Sequence, residues 1–224
     1  KYEPNIGVAS IGYVTPFLFM LMGITFGLGS GVTSVIAKSI GEDNKNDADK
    51  TAEHSIVFGI LISLILFLSS ILFGESLLKF QGVNDLKILT HSLDYFYIMF
   101  GGSIFMILGV FFRSILSGEG DNVFPVKVLG VGTVINILLD PIFIELYSVK
   151  GAALATVISQ AIVCLIFIYY LIFKHNAYIK FKPFDHYSRR IFKGAPYYIE
   201  FDAKSFLNAG AVTPNISKPR IDIY

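Results

Sequence analysis

Four stretches of this 224-residue chain carry no Asp, Glu, Lys or Arg at all: residues 4–37, 55–74, 95–112 and 151–173. Each reaches the roughly 17 to 25 predominantly apolar residues that a helix needs to cross a bilayer. Hydrocarbon offers no partner to a backbone N–H or C=O, so such a run must satisfy its own hydrogen bonds, and these runs are too long for barrel strands. The composition agrees, with 54% hydrophobic and 16% charged residues where a soluble domain carries about a quarter charged. A fifth run, 122–145, contains Lys127 near one end and Asp140 near the other. Lys127 can snorkel its ammonium towards headgroups, whereas Asp140 has no stem long enough to do so. The expected fold is therefore all-α, a polytopic membrane bundle of about five transmembrane helices over 8–37, 54–74, 93–115, 122–145 and 150–173.

Loop charges orient the bundle, because Lys and Arg favour the cytoplasmic side. With the loop after the first span inside, eleven Lys and Arg fall on inner segments and four on outer ones. The first residues are then expected outside and the basic, aromatic connector 175–190 in the cytoplasm. Residues 191–224 open with "IFKGAPYYIE" and continue without an apolar run of spanning length; they read as the beginning of another helix followed by a non-membrane or aberrant tail. The chain opens "KYEPNIG", without an initiator methionine or a signal-peptide pattern, and is expected to be a piece of a longer protein, with 1–174 as a partial bundle.

Few residues offer chemistry. The four histidines do not occur at metal-ligand spacing, and neither a nucleophile elbow nor a P-loop is found, so an enzyme is not expected, nor a cofactor, nor a histidine metal site. The basic residues are scattered among loops, which gives nucleic acid no footprint. Cys164 lies in an apolar run and reads as packing. Gly23, Gly27 and Gly31 recur every four residues, the pattern that lets a neighbouring backbone approach one helical face. In "GEDNKNDADK", Asn46 or Asp47 is expected to cap the second helix, and in "RSILSGEGDN" Gly118 and Gly120 are expected to turn, with Asp121 or Asn122 as the next cap.

The stretch "INILLDPIF" is the exception. Asn136 and Asp140 are four residues apart and share a helical face. Pro141 has no amide N–H to give, which leaves the carbonyl of Ile137 without its helical donor. A carboxylate at membrane depth costs on the order of 2.5 to 3.5 kcal/mol on insertion scales. It can offset that cost by taking up a proton or by holding a cation with help from neighbouring oxygens. The alternative is that Asp140 lies near the outer interface, five residues before Glu145, and merely ends its helix.

Taken in order, "GITFGLGSGVTSVIAKSIG", "RSILSGEGD", "NILLDPIFI" and "KGAALATVISQ" resemble the amino-terminal half of a multidrug and toxic compound extrusion (MATE) transporter, over roughly residues 6 to 200. The resemblance implies helices two to six of a twelve-helix, two-lobed fold, followed by the link between lobes and the start of helix seven at Ile191 to Glu200. It implies a secondary antiporter of the cell membrane that exports organic, often cationic, compounds in exchange for Na+ or H+. It matches Asn136, Asp140 and Thr156 to the family's first-lobe cation site; the carboxylate that the family supplies from helix one has no equivalent in this chain. The expected partners are membrane lipid, small cationic substrates and the remaining helices of the full-length transporter. Two other readings stand beside it: a lipid or polysaccharide flippase of related architecture, which the lack of Lys and Arg inside the second, third and fifth spans disfavours, and a non-transporting membrane remnant.

Overall fold

The computed structural model describes residues 4–173; the connector 175–190 and the segment 191–224 lie outside the described residues. Six helices follow one another: α1 (Pro4–Gly41), α2 (Lys45–Phe80), α3 (Leu86–Gly101), α4 (Ser103–Gly118), α5 (Val123–Tyr147) and α6 (Val149–Phe173). With α3 and α4 taken as one interrupted span, five helical segments are long and apolar enough to cross a membrane. Among the described residues there is no strand. The chain is a multi-pass membrane bundle.

The helices outrun the apolar runs that reveal them, because a charged residue ends the membrane but not the helix. α2 begins at Lys45, nine residues before the expected 54. Its cap is Asn44 rather than Asn46 or Asp47: the Asn44 Oδ1 accepts from the Asp47 amide at 3.3 Å, and its Nδ2 donates to Asp47 Oδ2 at 2.7 Å. Both groups thereby find partners at a terminus that would otherwise leave amides orphaned. At the start of α5 the Asp121 carboxylate accepts from the Phe124 amide at 3.2 Å, as expected. Of the two glycines expected to turn, Gly120 does so, at φ +87°, while Gly118 is the last residue of α4 and lies against Ile36.

The third span is not one helix. It stops at Gly101 and restarts at Ser103, with Gly102 between. Gly102 donates its amide to the Ile98 carbonyl at 2.9 Å, and the Ser103 hydroxyl donates to the Phe100 carbonyl at 2.7 Å. The break satisfies its polar groups locally, as a membrane interior demands.

Packing relies on close approach at small residues, since lipid tails are as apolar as the core itself. α1 lies on α2, α3 and α4; α6 lies on α3 and α4; and α5 joins the bundle chiefly through α6. A Cβ at Gly29 would lie 2.7 Å from Ser114 Oγ, and one at Gly59 would lie 2.9 Å from the Phe111 ring. Across the α1–α4 seam the Thr33 hydroxyl donates to the Ser114 carbonyl at 3.0 Å. Side chains such as Ile36, Phe112, Cys164 and Phe167 fill one end of the bundle, and Val14, Leu78, Phe96 and Ala153 fill the other. The outward face of α2, with Leu61, Leu64, Ile65, Leu68 and Leu72 exposed, is aliphatic and suited to lipid.

The glycine face expected in the first span is not where this bundle packs. Gly23 and Gly27 are exposed, with nothing within 4 Å of a modest added side chain, whereas Gly29 is buried against α4. Gly31 is half-buried. At about 100° per residue, Gly29 lies on nearly the opposite side of α1 from Gly27. The i, i+4 spacing marks a real face, but among the described residues its neighbour is missing.

Candidate functional site

The α5–α6 hairpin carries the three polar residues singled out above. Its turn is tight: Ser148 takes a positive φ of 55°, and its amide donates to the Ile144 carbonyl at 2.8 Å. Gly151 then lies so close to the carbonyl of Phe143 that a Cβ there would overlap backbone atoms; further along, a Cβ at Gly132 would overlap the Val163 side chain. These two approaches fix the antiparallel register, matching residue 143 to 151 and 132 to 163. Thr156 therefore falls level with residues 138–139, between Asn136 and Asp140. Residues twenty apart in sequence arrive at one depth.

With α5 centred on the bilayer, that depth is inside the membrane. α5 continues as helix through Pro141 to Tyr147, so Asp140 does not end it. The seven residues from Asp140 to Tyr147 span about 10 Å, and the 25-residue helix about 37 Å, against a hydrocarbon core of about 30 Å. With the helix centred, Asp140 sits about 7 Å below the hydrocarbon boundary.

The polar groups there are poorly satisfied. Asn136 Nδ2 is buried and has no hydrogen-bond partner among the described residues. The Asp140 side chain is half-buried, and no Lys or Arg among the described residues forms an ion pair with it. The Thr156 hydroxyl donates to the Ala152 carbonyl at 3.0 Å, which leaves its oxygen lone pairs free to accept. Pro141 leaves the Ile137 carbonyl without an amide donor from the next turn. A carboxylate, an amide, a hydroxyl oxygen and a main-chain carbonyl at one level are hard oxygen donors of the kind that hold Na+, or share a proton.

The break at Gly102 is related in depth, because a Cβ there would overlap Val157, the residue after Thr156.

Comparison with known proteins bears on the family and the fold. The profile of the MatE family matches residues 1–142. The chain is 30% identical over 170 residues to "Probable multidrug resistance protein YoeA" of Bacillus subtilis (strain 168), covering 73% of this chain and 36% of that one. It is 28% identical over 177 residues to the "FAD transporter" of Shewanella oneidensis, covering 75% and 38%. It is also 28% identical over 172 residues to "Multidrug export protein MepA" of Staphylococcus aureus, covering 75% and 38%. Thus the chain spans little more than a third of the length of these relatives. Among solved structures, a MATE transporter in a bent conformation superposes with a TM-score of 0.80 at 26% identity, covering 93% of this chain and 44% of that one. An inward-facing multidrug resistance MATE family transporter gives 0.76 at 27% identity, covering 83% and 44%.

Proposed function

The chain belongs to the multidrug and toxic compound extrusion (MatE) family, and on that premise we propose that its five spans are part of a secondary antiporter that exports organic, often cationic, compounds in exchange for Na+ or H+. Asp140 is the carboxylate that takes up and releases the coupling ion. Asn136, Thr156 and the freed Ile137 carbonyl complete its oxygen set. The observation that carries this reading is the position of Asp140 seven residues before the end of an uninterrupted helix of spanning length, Val123–Tyr147, with no cationic side chain paired to it among the described residues.

The physical logic is linkage. A carboxylate without a counter-ion in low dielectric is unfavourable, so the site is stable when protonated or cation-loaded and destabilised when emptied. Ion and cargo shift the same conformational equilibrium by their differential affinity for its two states, which is what exchange requires. The relatives above are named for multidrug resistance, FAD transport and multidrug export, and the proposal takes organic compounds as the cargo class. The helix ends that flank the α1–α2 and α4–α5 loops carry Lys38, Lys45, Lys50, Arg113 and Lys127, and on this reading they lie on the cytoplasmic side of the cell membrane.

Replacing Asp140 with Asn in the transporting assembly is expected to abolish gradient-driven export of ethidium while the protein still reaches the membrane. Export at the unaltered rate would remove Asp140 from the mechanism.

A further inference from the structure

Close approaches between helices put charged residues of four helices at one level. A Cβ at Gly74 of α2 would lie 3.1 Å from Tyr97 and 3.2 Å from Phe96 of α3, Gly102 matches Val157 of α6, and Gly151 matches Phe143 of α5. Counted from these matches, Glu75, Asp94, Glu145 and Lys150 fall within about one helical turn of one another along the bundle, and Lys150 meets Asp94 at 3.1 Å. The other end gives a second level. There Gly59 lies against Ile107 and Phe111, and Gly132 against Val163, which brings His54, Arg113 and Lys127 together in height. From one level to the other is 18 residues on α5, 19 along α3 and α4, and 21 on α2, or about 27 to 32 Å of helix. A hydrocarbon core is about 30 Å thick, so the two charged levels mark its boundaries.

α2 does not stop at its boundary. It runs five residues past Glu75 to Phe80, about 7 to 8 Å higher, into a headgroup layer that adds about 5 to 7 Å to each leaflet. The helix end is well held: the amides of Gln81, Gly82 and Val83 donate to the carbonyls of Leu77, Lys79 and Leu78 at 3.2, 2.9 and 3.3 Å, and Val83 is buried in one core with Leu78 and Leu89. Phe80 is nonetheless 91% exposed. It lies two turns beyond Phe73, itself exposed beside Leu72, and so continues the outward apolar face of α2. Helical side chains lean towards the N-terminus of their helix, which for α2 is towards the bilayer, so the Phe80 ring reaches back to the boundary. Leu86 makes the contrast. It is 77% exposed but opens α3, eight residues and about 12 Å above Asp94, and its side chain leans away from the membrane.

We propose that Phe80 is an interfacial anchor, its ring seated among the headgroups and first acyl carbons of the leaflet at the α2–α3 end of the bundle. An apolar side chain at the end of a lipid-facing helical surface gains burial at that depth without leaving the headgroup layer. The charges around it are Glu75, Lys79, Asp85 and Lys87, which cancel, and Lys79 is paired with Glu75. The partner is therefore a zwitterionic interface, engaged by apolar burial and not by the attraction that clustered Lys and Arg exert on anionic lipid.

The chain contains no tryptophan, so Phe80→Trp, Leu86→Trp and Ile65→Trp each give the full chain, reconstituted in phosphatidylcholine vesicles, a single fluorophore. Ile65 is exposed on α2, ten residues and about 15 Å inside the boundary at Glu75. Phe80→Trp is expected to be quenched most by a nitroxide on the lipid headgroup or near the top of the acyl chain, Ile65→Trp by one near the end of the chain, and Leu86→Trp by aqueous iodide. Emission from Phe80→Trp that iodide quenches as strongly as that of Leu86→Trp overturns the anchor. So does emission that neither iodide nor any lipid nitroxide quenches, which would mean that another segment or a second copy covers the position. Replacing part of the phosphatidylcholine with phosphatidylglycerol is expected to leave the Phe80→Trp profile unchanged, and a profile that moves with anionic lipid overturns the zwitterionic assignment. If Phe80→Trp does not fold, a nitroxide side chain in Phe80→Cys with Cys164→Ala gives the same depth from its collision rates with oxygen and with a water-soluble nickel chelate, and a value matching bulk water overturns the anchor equally.

Discussion

The α5–α6 hairpin supplies the strictest prediction, because one missing methyl group sets the register of the site. At Gly151 an added Cβ would run into the carbonyl oxygen and carbon of Phe143 and lie 2.8 Å from the Ile144 amide nitrogen. No rotamer can relieve a clash with backbone, so the two helices must part or the Ser148 turn must reform. Overpacking a well-fitted core costs about 1 to 3 kcal/mol, and the backbone partner puts Gly151→Ala at the upper end. The control is Gly109→Ala on α4, where nothing lies within 4 Å of the added atom; there the replacement removes a helix-interior glycine and is worth roughly 0.5 to 1 kcal/mol of stabilisation. The two alanines should therefore differ by about 3 to 4 kcal/mol in unfolding free energy. Reversible unfolding in mixed micelles, read by steric trapping at a pair of biotin tags, measures the difference. If Gly151→Ala matches or exceeds Gly109→Ala in stability, the close approach is wrong, and with it the level at which Thr156 meets Asp140.

Two further predictions concern polar groups. Asn136→Leu removes a buried amide that has no partner among the described residues, so it should leave the folded bundle as stable as before or raise its melting temperature, while saturable 22Na+ binding by the purified chain is weakened or lost; an unchanged isotherm would show that Asn136 is no ligand. Asn44→Ala removes the cap of α2 and should cost about 1 kcal/mol, visible as earlier amide hydrogen exchange over Lys45–Asp49 with no change at Asp140.

The parts of this molecule that were legible in its sequence are those dictated by the solvent. The five spans follow because lipid forces long uncharged runs into helices, and Asp140 stands out because, Lys127 apart, the other charges lie at the ends of those spans. The helix ends were less legible: α2 extends back to Lys45 through residues that carry charge, and there the cap rather than the membrane decides. The break at Gly102 was hidden for a different reason, since adjacent glycines are also tolerated within spanning helices, and only Val157 pressing on the notch distinguishes this pair. Gly23 and Gly27 mark a helical face, but spacing does not say what covers it, and among the described residues nothing does. The ion pair of Asp94 with Lys150, 3.1 Å apart, required register. Its one trace is that Asp94 and Lys150, opposite in charge, each directly precede an uncharged run, and those two runs cross in the same direction.

The account stands on Asp140 as an exchangeable ion site inside the bilayer. Infrared difference spectroscopy of the reconstituted chain tests it most directly, with the carboxyl C=O band followed as pH and Na+ are raised and assigned by Asp140→Asn. The prediction is a protonated-carboxyl band that disappears on raising either one and is missing from the Asn variant. A spectrum in which neither change touches a band assignable to Asp140 would contradict the account.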